Sequence, residues 1–205
     1  MSLFSKLTPN FWRIQLRQWH WMSSALCLAG LLLFAATGFT LNHAATMEAK
    51  PKTTRVERTL PAPAVTALGA AHDKQPVPPA VASAVKQAVG IDIAGRPADV
   101  SDEDIYVDLA TPGVDASVTL GRDGNLVYER TTRGAIAVLN DLHKGRHAGT
   151  VWSLFIDILA LACIVFAVTG LGLLWLYSRN RRITWPLVAA GLAVPLILYL
   201  VFIHA

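Results

Sequence analysis

Three long apolar segments constrain the fold of this chain more than any other feature of its sequence. They cover residues 22–41, 151–177 and 185–203, and the one charged side chain in them is Asp157. A helix needs about 20 apolar residues to cross the hydrocarbon core of a bilayer, and each segment is close to that length. Pro195 interrupts the third segment, but membrane helices tolerate proline. The sequence therefore predicts three transmembrane helices in contact with the lipid bilayer.

The first apolar segment is either a cleaved secretory signal or a permanent anchor. The apolar core of a signal is about 7–15 residues long, and this segment is longer. Trp12, Trp19 and Trp21 precede it, and tryptophan is typical of the membrane interface. We expect an uncleaved anchor, preceded by a cytoplasmic or interfacial lead-in over residues 1–21.

Basic residues predict the orientation of the chain, because lysine and arginine accumulate on the cytoplasmic side. Two short segments carry basic residues and no acidic ones: Lys6, Arg13 and Arg17 before the first span, and Arg179, Arg181 and Arg182 in the loop 178–184. Residues 42–150 carry 12 basic and 13 acidic side chains. This distribution predicts that both short segments are cytoplasmic and that residues 42–150 and the C-terminus lie on the outer side of the membrane. It also explains the net charge of +4 without a nucleic-acid partner.

The pattern of apolar residues in the segment 42–133 predicts a small α+β domain outside the membrane. A weakly alternating segment predicts a strand over residues 53–60. Between Pro79 and Gly90, apolar residues recur at helical spacing, and proline at the start with glycine at the end suits a short helix. The Pro/Ala-rich segment that begins at Pro61 is interpreted as a connector.

The second half of this domain predicts an antiparallel hairpin. Alternating apolar residues predict three short strands, over residues 104–109, 116–120 and 126–128. The glycine-bounded segment 121–124 predicts the tight turn between the last two. Residues 134–177 follow as an amphipathic helix and the second transmembrane helix, with a kink at Gly145 or Gly149.

Five of the six histidines flank a predicted span: His20, His43, His143, His147 and His204. An imidazole at a helix end can ligate a flat macrocycle held between helices, and haem iron takes axial ligands on its two faces. His43 and His143 belong to different helices on the outer side. We therefore expect them to be the axial ligands of a haem b. The alternative is that the histidines only anchor helix ends at the membrane interface.

His147 and His20 have different roles in the haem hypothesis. His143 and His147 are four residues apart, so on a regular helix they share one face and cannot straddle one iron. One of them could ligate the iron while the other binds a propionate. His20 and His43 are separated by a helical rise of about 35 Å and serve opposite membrane surfaces. A second haem near His20 would need another ligand, which a symmetric homodimer could supply.

Small and ionisable residues inside the spans are further candidates. Four glycines permit close approach, either of a haem or of another helix: Gly30, Gly38, Gly170 and Gly172. Asp157 is an ionisable group in a span and therefore a candidate for proton handling, or for packing against Trp152 and His147. It could equally reach interfacial water. Cys27 and Cys163 are interpreted as apolar packing residues.

Several segments resemble the PepSY-associated transmembrane family. RQWHW at residues 17–21, with Thr37, Gly38 and Phe39, resembles the opening helix of that family. LNDLHKGR at residues 139–146 resembles its second helix, together with the residues that follow it: Gly149, Trp152, Asp157, Thr169, Gly170 and Leu171. GRDGNLVYE at residues 121–129 is similar to the hairpin of a single PepSY domain.

This resemblance implies a bacterial inner-membrane protein with one periplasmic PepSY-like domain. It also implies a relationship to haem-containing reductases that release iron from ferric siderophores in the periplasm. It assigns a ligand role to His143 first, to His43 second, and to His20, the histidine of the opening helix, third. Larger members of the family have four or more spans, whereas this chain has three predicted spans.

Three functions are consistent with the sequence. The first is a haem b electron-transfer protein that reduces a periplasmic ferric complex such as a ferric siderophore. Because no flavin or nicotinamide motif is present, its donor would be quinol or another external reductant. The second is a non-enzymatic PepSY protein that binds or regulates a partner. The third is an accessory subunit of metal uptake with an outer metal cluster of histidines: His43, His143, His147 and His204.

Overall fold

The computed structural model describes residues 9–204, so Lys6 and the first eight residues of the predicted lead-in lie outside the described residues. The chain divides into two compact units: Met1–Leu33 with Ile156–Ala205, and Phe34–Phe155. The helices and strands, in chain order, are α1 (Pro9–Asn42), α2 (Ala44–Met47), β1 (Lys52–Thr59), α3 (Ala62–Leu68), α4 (Pro79–Val89), β2 (Ala98–Val100), β3 (Asp104–Asp108), β4 (Val114–Gly121), β5 (Asn125–Thr132), α5 (Ala135–Lys144), α6 (Gly149–Tyr177) and α7 (Thr184–Phe202).

Helices α1, α6 and α7 are each long and apolar enough to cross a membrane. No residue of α7 is buried within the protein, and Pro195 lies inside this helix without ending it. A helix that is apolar on all sides and exposed is typical of a membrane span, because lipid is then its solvent. The chain is therefore a membrane protein with three membrane helices and a small α/β domain, which is the predicted fold class.

Small residues let α1 and α6 approach each other closely in the first unit. A Cβ atom built on Gly30 would lie 2.5 Å from Cδ1 of Leu159, and one built on Gly172 would lie 3.1 Å from Cδ2 of Leu16. Both glycines therefore serve helix packing, which was one of the two predicted alternatives. Cys27 is completely buried, as a small apolar packing residue would be.

The second unit contains a five-stranded antiparallel sheet in the order β1-β5-β4-β3-β2. Its central register pairs inward-facing residues across strands, with Ile105 opposite Leu120 and Val107 opposite Val118. These four side chains are completely buried. Period-2 alternation places them on the same face of the sheet, so that face must be covered by other apolar residues.

Helices α3 and α4 cover this face. Leu68 of α3 and Val81 and Val85 of α4 are buried in the same cluster as the strand residues. The Pro/Ala-rich segment from Pro61 was predicted to be a connector, and that prediction is wrong for Ala62–Leu68, which form helix α3. Pro61 is the N-cap residue and Pro63 lies in the first turn, where a missing backbone N–H costs no helical hydrogen bond.

Helix α5 ends at Lys144, and a short break separates it from α6. Gly145 and Gly149 adopt positive φ angles of 68° and 78°, and His147 also has a positive φ of 54°. The amide of Gly145 donates to the Leu142 carbonyl oxygen at 3.1 Å. This left-handed cap ends the helix, so the predicted kink is a complete interruption of the helix.

Candidate functional site

His143 is held by a threonine from the first membrane helix. Its Nδ1 atom lies 2.7 Å from Oγ1 of Thr37. The Thr37 hydroxyl also lies 3.2 Å from the Phe34 carbonyl oxygen, and when it donates there its oxygen accepts a hydrogen bond from a protonated Nδ1 of His143. In a neutral imidazole with a protonated Nδ1, the Nε2 atom keeps its lone pair and can ligate a metal.

The residues just before His143 fix the position of helix α5. Asn140 accepts a hydrogen bond from Oγ1 of Thr40 at 2.9 Å and donates to Oε1 of Glu48 at 2.8 Å. The Leu142 carbonyl oxygen accepts a hydrogen bond from Nε1 of Trp152 at 2.8 Å. These contacts tie α5 to the end of α1 and to the start of α6, within the second unit.

Asp141 joins the same helix to the sheet. Its Oδ2 atom accepts hydrogen bonds from the Gly113 amide at 2.8 Å and from Nη2 of Arg133 at 2.6 Å, and the residue is 2% exposed. Burial lowers the pKa of Arg133, but Asp141, Asp115 and Glu48 together outweigh it and leave the Arg133 pKa above its ordinary value. The LNDLH segment, the most specific part of the family resemblance, is therefore the structural support of His143.

His20 has an equivalent arrangement in the first unit. Its Nδ1 atom lies 3.1 Å from Oγ1 of Thr169 and 3.2 Å from the Phe166 carbonyl oxygen. A carbonyl oxygen only accepts hydrogen bonds, so Nδ1 carries the proton and Nε2 keeps its lone pair. The Thr169 hydroxyl donates to the Val165 carbonyl oxygen at 2.6 Å. The imidazole also stacks on Phe166, with ring centroids 4.7 Å apart.

Each of these histidines faces a Thr-Gly pair. A Cβ atom built on Gly170 would lie 3.2 Å from Cε1 of His20, and one built on Gly38 would lie 3.5 Å from Cε1 of His143. These two glycines therefore face imidazoles, whereas Gly30 faces a leucine side chain. The sequence prediction did not assign a role to Thr37 or Thr169. The sequence signal that could have identified them is the Thr-Gly dipeptide, which occurs in two of the predicted spans.

His43 follows the end of α1, and its Nδ1 atom is hydrogen-bonded, as it is in His143 and His20. Nδ1 donates to the Phe39 carbonyl oxygen at 3.0 Å, and the exposed ring packs on Phe39 with centroids 4.5 Å apart. Its Nε2 atom is therefore also unprotonated in the neutral form. Within residues 9–204, no hydrogen bond or ring contact joins His43 to His143.

The prediction that His143 and His147 share one helical face is wrong. Helix α5 ends between them, and the positive φ of His147 turns the chain away from the helical path. Nε2 of His147 accepts a hydrogen bond from Nε of Arg146 at 3.2 Å. The end of the helix thus separates the two histidines, and Nε2 of His147 is already bound by a neighbouring side chain.

The predicted outer cluster of histidines is not formed among the described residues. No group of three or more His, Cys, Asp or Glu side chains is placed to hold a metal ion there. His204 instead stacks on Tyr199, with centroids 5.7 Å apart. Asp157 is exposed on α6, and in the part of the chain that the structure describes no hydrogen bond or ion pair reaches its carboxylate.

A cavity of about 390 Å³ adjoins His20. It is lined by one imidazole, one guanidinium, two hydroxyl-bearing side chains and apolar residues: His20, Arg181, Tyr177, Ser178, Gly170, Leu173 and Leu174. An imidazole can bind a metal and a guanidinium can bind a carboxylate, so the cavity offers both kinds of group.

The matched family accounts for this arrangement of spans and domain. A family model described as PepSY_TM-like matches residues 11–204, nearly the whole chain. The chain belongs to the PepSY_TM-like family. It is thus a membrane protein with a PepSY domain, formed by the sheet with α3 and α4, and the resemblance found in the sequence is confirmed at this level. No curated protein and no solved structure matches the chain.

Proposed function

We propose that this PepSY_TM-like protein is an inner-membrane haem b protein that passes electrons to a periplasmic ferric complex such as a ferric siderophore. The observation that carries the proposal is the state of its histidines. His20, His43 and His143 each have Nδ1 within hydrogen-bond distance of a protein oxygen, and Nδ1–H donation to that oxygen leaves Nε2 of the neutral ring available as a ligand atom. Histidines that ligate metals almost always donate their other ring N–H in this way.

His143 is the first ligand in this proposal and His43 is the second. His143 has the more rigid support, because Thr37 binds its ring and the preceding Asn140 and Asp141 fix its helix. Among the described residues, the hydrogen bond and the ring contact of the His43 imidazole are both with Phe39, within its own turn of helix, so the ring can rotate without breaking a hydrogen bond to another element. A bound haem supplies a one-electron couple, which its axial ligands and the surrounding hydrogen bonds tune.

In this proposal, two residues of α1 would position the His143 ring for the cofactor. Phe34 packs against the His143 ring with centroids 5.0 Å apart, and Gly38 leaves room beside it. The proposed electron donor is quinol or another external reductant, because the sequence contains no flavin or nicotinamide motif. The ferric substrate would meet the protein on the PepSY side of the membrane.

The test is a visible spectrum of the detergent-purified protein, reduced with dithionite minus air-oxidised, with haem quantified per chain. We expect sharp reduced bands of a low-spin haem b, and we expect His143→Ala to lose them. His72→Ala is the matched control, because His72 is an exposed histidine of the PepSY domain.

Two results would overturn the proposal. One is a His143→Ala protein with an unchanged spectrum and haem content. The other is a colourless wild-type protein from cells grown with ample haem, which would leave partner binding by the PepSY domain as the function.

A further inference from the structure

We propose that the loop between α6 and α7 binds the headgroup of an anionic phospholipid that carries two phosphates. The loop comprises residues 178–183. It adjoins a cavity of about 310 Å³, whose lining combines three guanidiniums, one serine and two indoles: Arg179, Arg181, Arg182, Ser178, Trp175 and Trp185. The inference concerns no haem and does not depend on the proposed function.

The three arginines of this loop have no counter-charge within their own unit. All three are exposed, and within residues 9–204 no hydrogen bond or ion pair engages their side chains. Asp157 is the one acidic residue in the sequence of the first unit. It precedes Tyr177, the last residue of α6, by a helical rise of about 30 Å. The positive charge at the cavity is therefore left to attract an anion from outside the protein.

The two tryptophans at the cavity indicate that this anion belongs to a lipid. Trp175 lies at the end of α6 and Trp185 at the start of α7, and their rings pack edge to face with centroids 5.5 Å apart. Trp175 is 73% exposed. Indole rings favour the level of the lipid headgroups, and α7 buries no residue within the protein, so lipid surrounds it. A phospholipid can therefore place its phosphates among the arginines and its acyl chains along the helices.

The number of guanidiniums favours a headgroup with two phosphates. One guanidinium binds the two free oxygens of a phosphodiester through parallel hydrogen bonds. A single phosphodiester carries one negative charge, whereas the cavity presents three positive ones. Two phosphates joined through one glycerol, as in cardiolipin, match this charge more closely and offer acceptors to all three arginines. Basic pockets at the ends of membrane helices are suited to headgroups of this kind.

The experiment measures which lipids the detergent-purified full-length protein binds, by native mass spectrometry with added lipid. The probes are cardiolipin with two phosphates, phosphatidylglycerol with one, zwitterionic phosphatidylcholine, and inorganic phosphate. We expect one cardiolipin per chain, bound about tenfold more tightly than phosphatidylglycerol, because one further charge-assisted hydrogen bond adds about that factor. Phosphatidylcholine and inorganic phosphate at the same concentration should not displace it.

The double variant Arg179→Lys/Arg182→Lys separates a shaped site from general attraction to a charged surface. It keeps the positive charges that orient the loop but removes two planar guanidiniums, and an ammonium cannot bind a phosphate in the same two-pronged way. We expect it to lose the preference for cardiolipin over phosphatidylglycerol. Arg13→Lys/Arg17→Lys is the matched control, because these exposed arginines of α1 lie outside the cavity lining. It should keep the preference.

Four results would overturn the inference. Equal binding of cardiolipin and phosphatidylglycerol by the wild type would remove the two-phosphate site, and displacement by inorganic phosphate would make it a site for a free anion. A wild-type preference in Arg179→Lys/Arg182→Lys would show that the loop arginines do not recognise the headgroup. An equal loss in Arg13→Lys/Arg17→Lys would assign the binding to general surface charge. Because none of these measurements involves haem, the proposed function is tested separately.

Discussion

Nδ1 of His143 lies 2.7 Å from the hydroxyl oxygen of Thr37, although 106 positions separate the two residues in the sequence. The same hydroxyl lies 3.2 Å from the Phe34 carbonyl oxygen. When the hydroxyl donates to that carbonyl, the imidazole donates to the threonine, and the neutral ring keeps a lone pair on Nε2. Thr169 repeats this relationship with His20 in the other unit.

Thr37→Val should weaken haem binding at His143, because the imidazole then loses the acceptor that fixes its tautomer and orientation. Partners of this kind typically account for about 10–100-fold in metal affinity. Haem retention during dilution and the reduction potential would measure the effect. Thr37→Ser keeps the hydroxyl and should restore both properties. Thr66→Val, an exposed change at a threonine whose hydroxyl donates to the Ala62 carbonyl oxygen within α3, is the control. Equal retention in Thr37→Val and the wild type would contradict the assignment.

Asp141→Asn should destabilise the second unit far more than Asp115→Asn, although both carboxylates pair with Arg133. The side chain of Asp141 is 2% exposed and that of Asp115 is 49% exposed. Breaking a buried ion pair costs about 3–5 kcal/mol, because the remaining charge stays desolvated. An exposed pair contributes about 0–1 kcal/mol. Thermal unfolding and limited proteolysis of the full-length protein in detergent measure the difference, and similar losses in the two variants would refute this account.

Gly30→Val should separate α1 from α6, because even a Cβ atom at this position would lie 2.5 Å from Cδ1 of Leu159. We expect a lower unfolding temperature in detergent. Leu159→Ala in the same chain should recover part of the loss by making room, so the two changes should be strongly non-additive. Additive effects would show that Gly30 does not pack against Leu159.

The Lys86–Asp92 pair predicts a pH dependence of PepSY domain stability. Hydrogen bonds from Lys86 and from the Ala94 amide hold the pKa of Asp92 below its ordinary value of 3.8. A lowered pKa in the folded state contributes stability above the ordinary value, and this contribution disappears as the pH falls through the folded-state pKa. Asp92→Asn should therefore be less stable than the wild type at neutral pH.

The difference in folding stability between Asp92→Asn and the wild type should disappear as the pH falls below 3.8. The unfolding midpoints of both proteins across this range measure it. Lys86→Met should reproduce the neutral-pH loss, because it removes the partner that binds Asp92. If the difference between the two unfolding midpoints stays constant down to the lowest pH measured, the ionised Asp92 carboxylate is not its source.

Local sequence patterns predicted most of the fold. The three spans were predicted from the length of the apolar segments. Helix α4 was predicted from the spacing of its apolar residues, and the β4–β5 hairpin from strand alternation and the glycines of its turn. Helix α3 was missed because Pro61 and Pro63 normally end structure, whereas here they begin a helix whose Leu68 is buried. Burial against the sheet is a tertiary property and overrides that local signal.

The sequence by itself determined that the chain is a membrane protein with a small α+β domain, because hydrophobic length and strand alternation are properties of neighbouring residues. The PepSY family followed from the resemblance of its motifs. It also singled out the histidines as candidates. Only the tertiary structure decided what each histidine contacts. Thr169 is 149 positions from His20, and His147 is separated from His143 by a helix end that the spacing did not fix. A hydrogen bond between distant residues depends on how whole elements pack, and no local pattern encodes it.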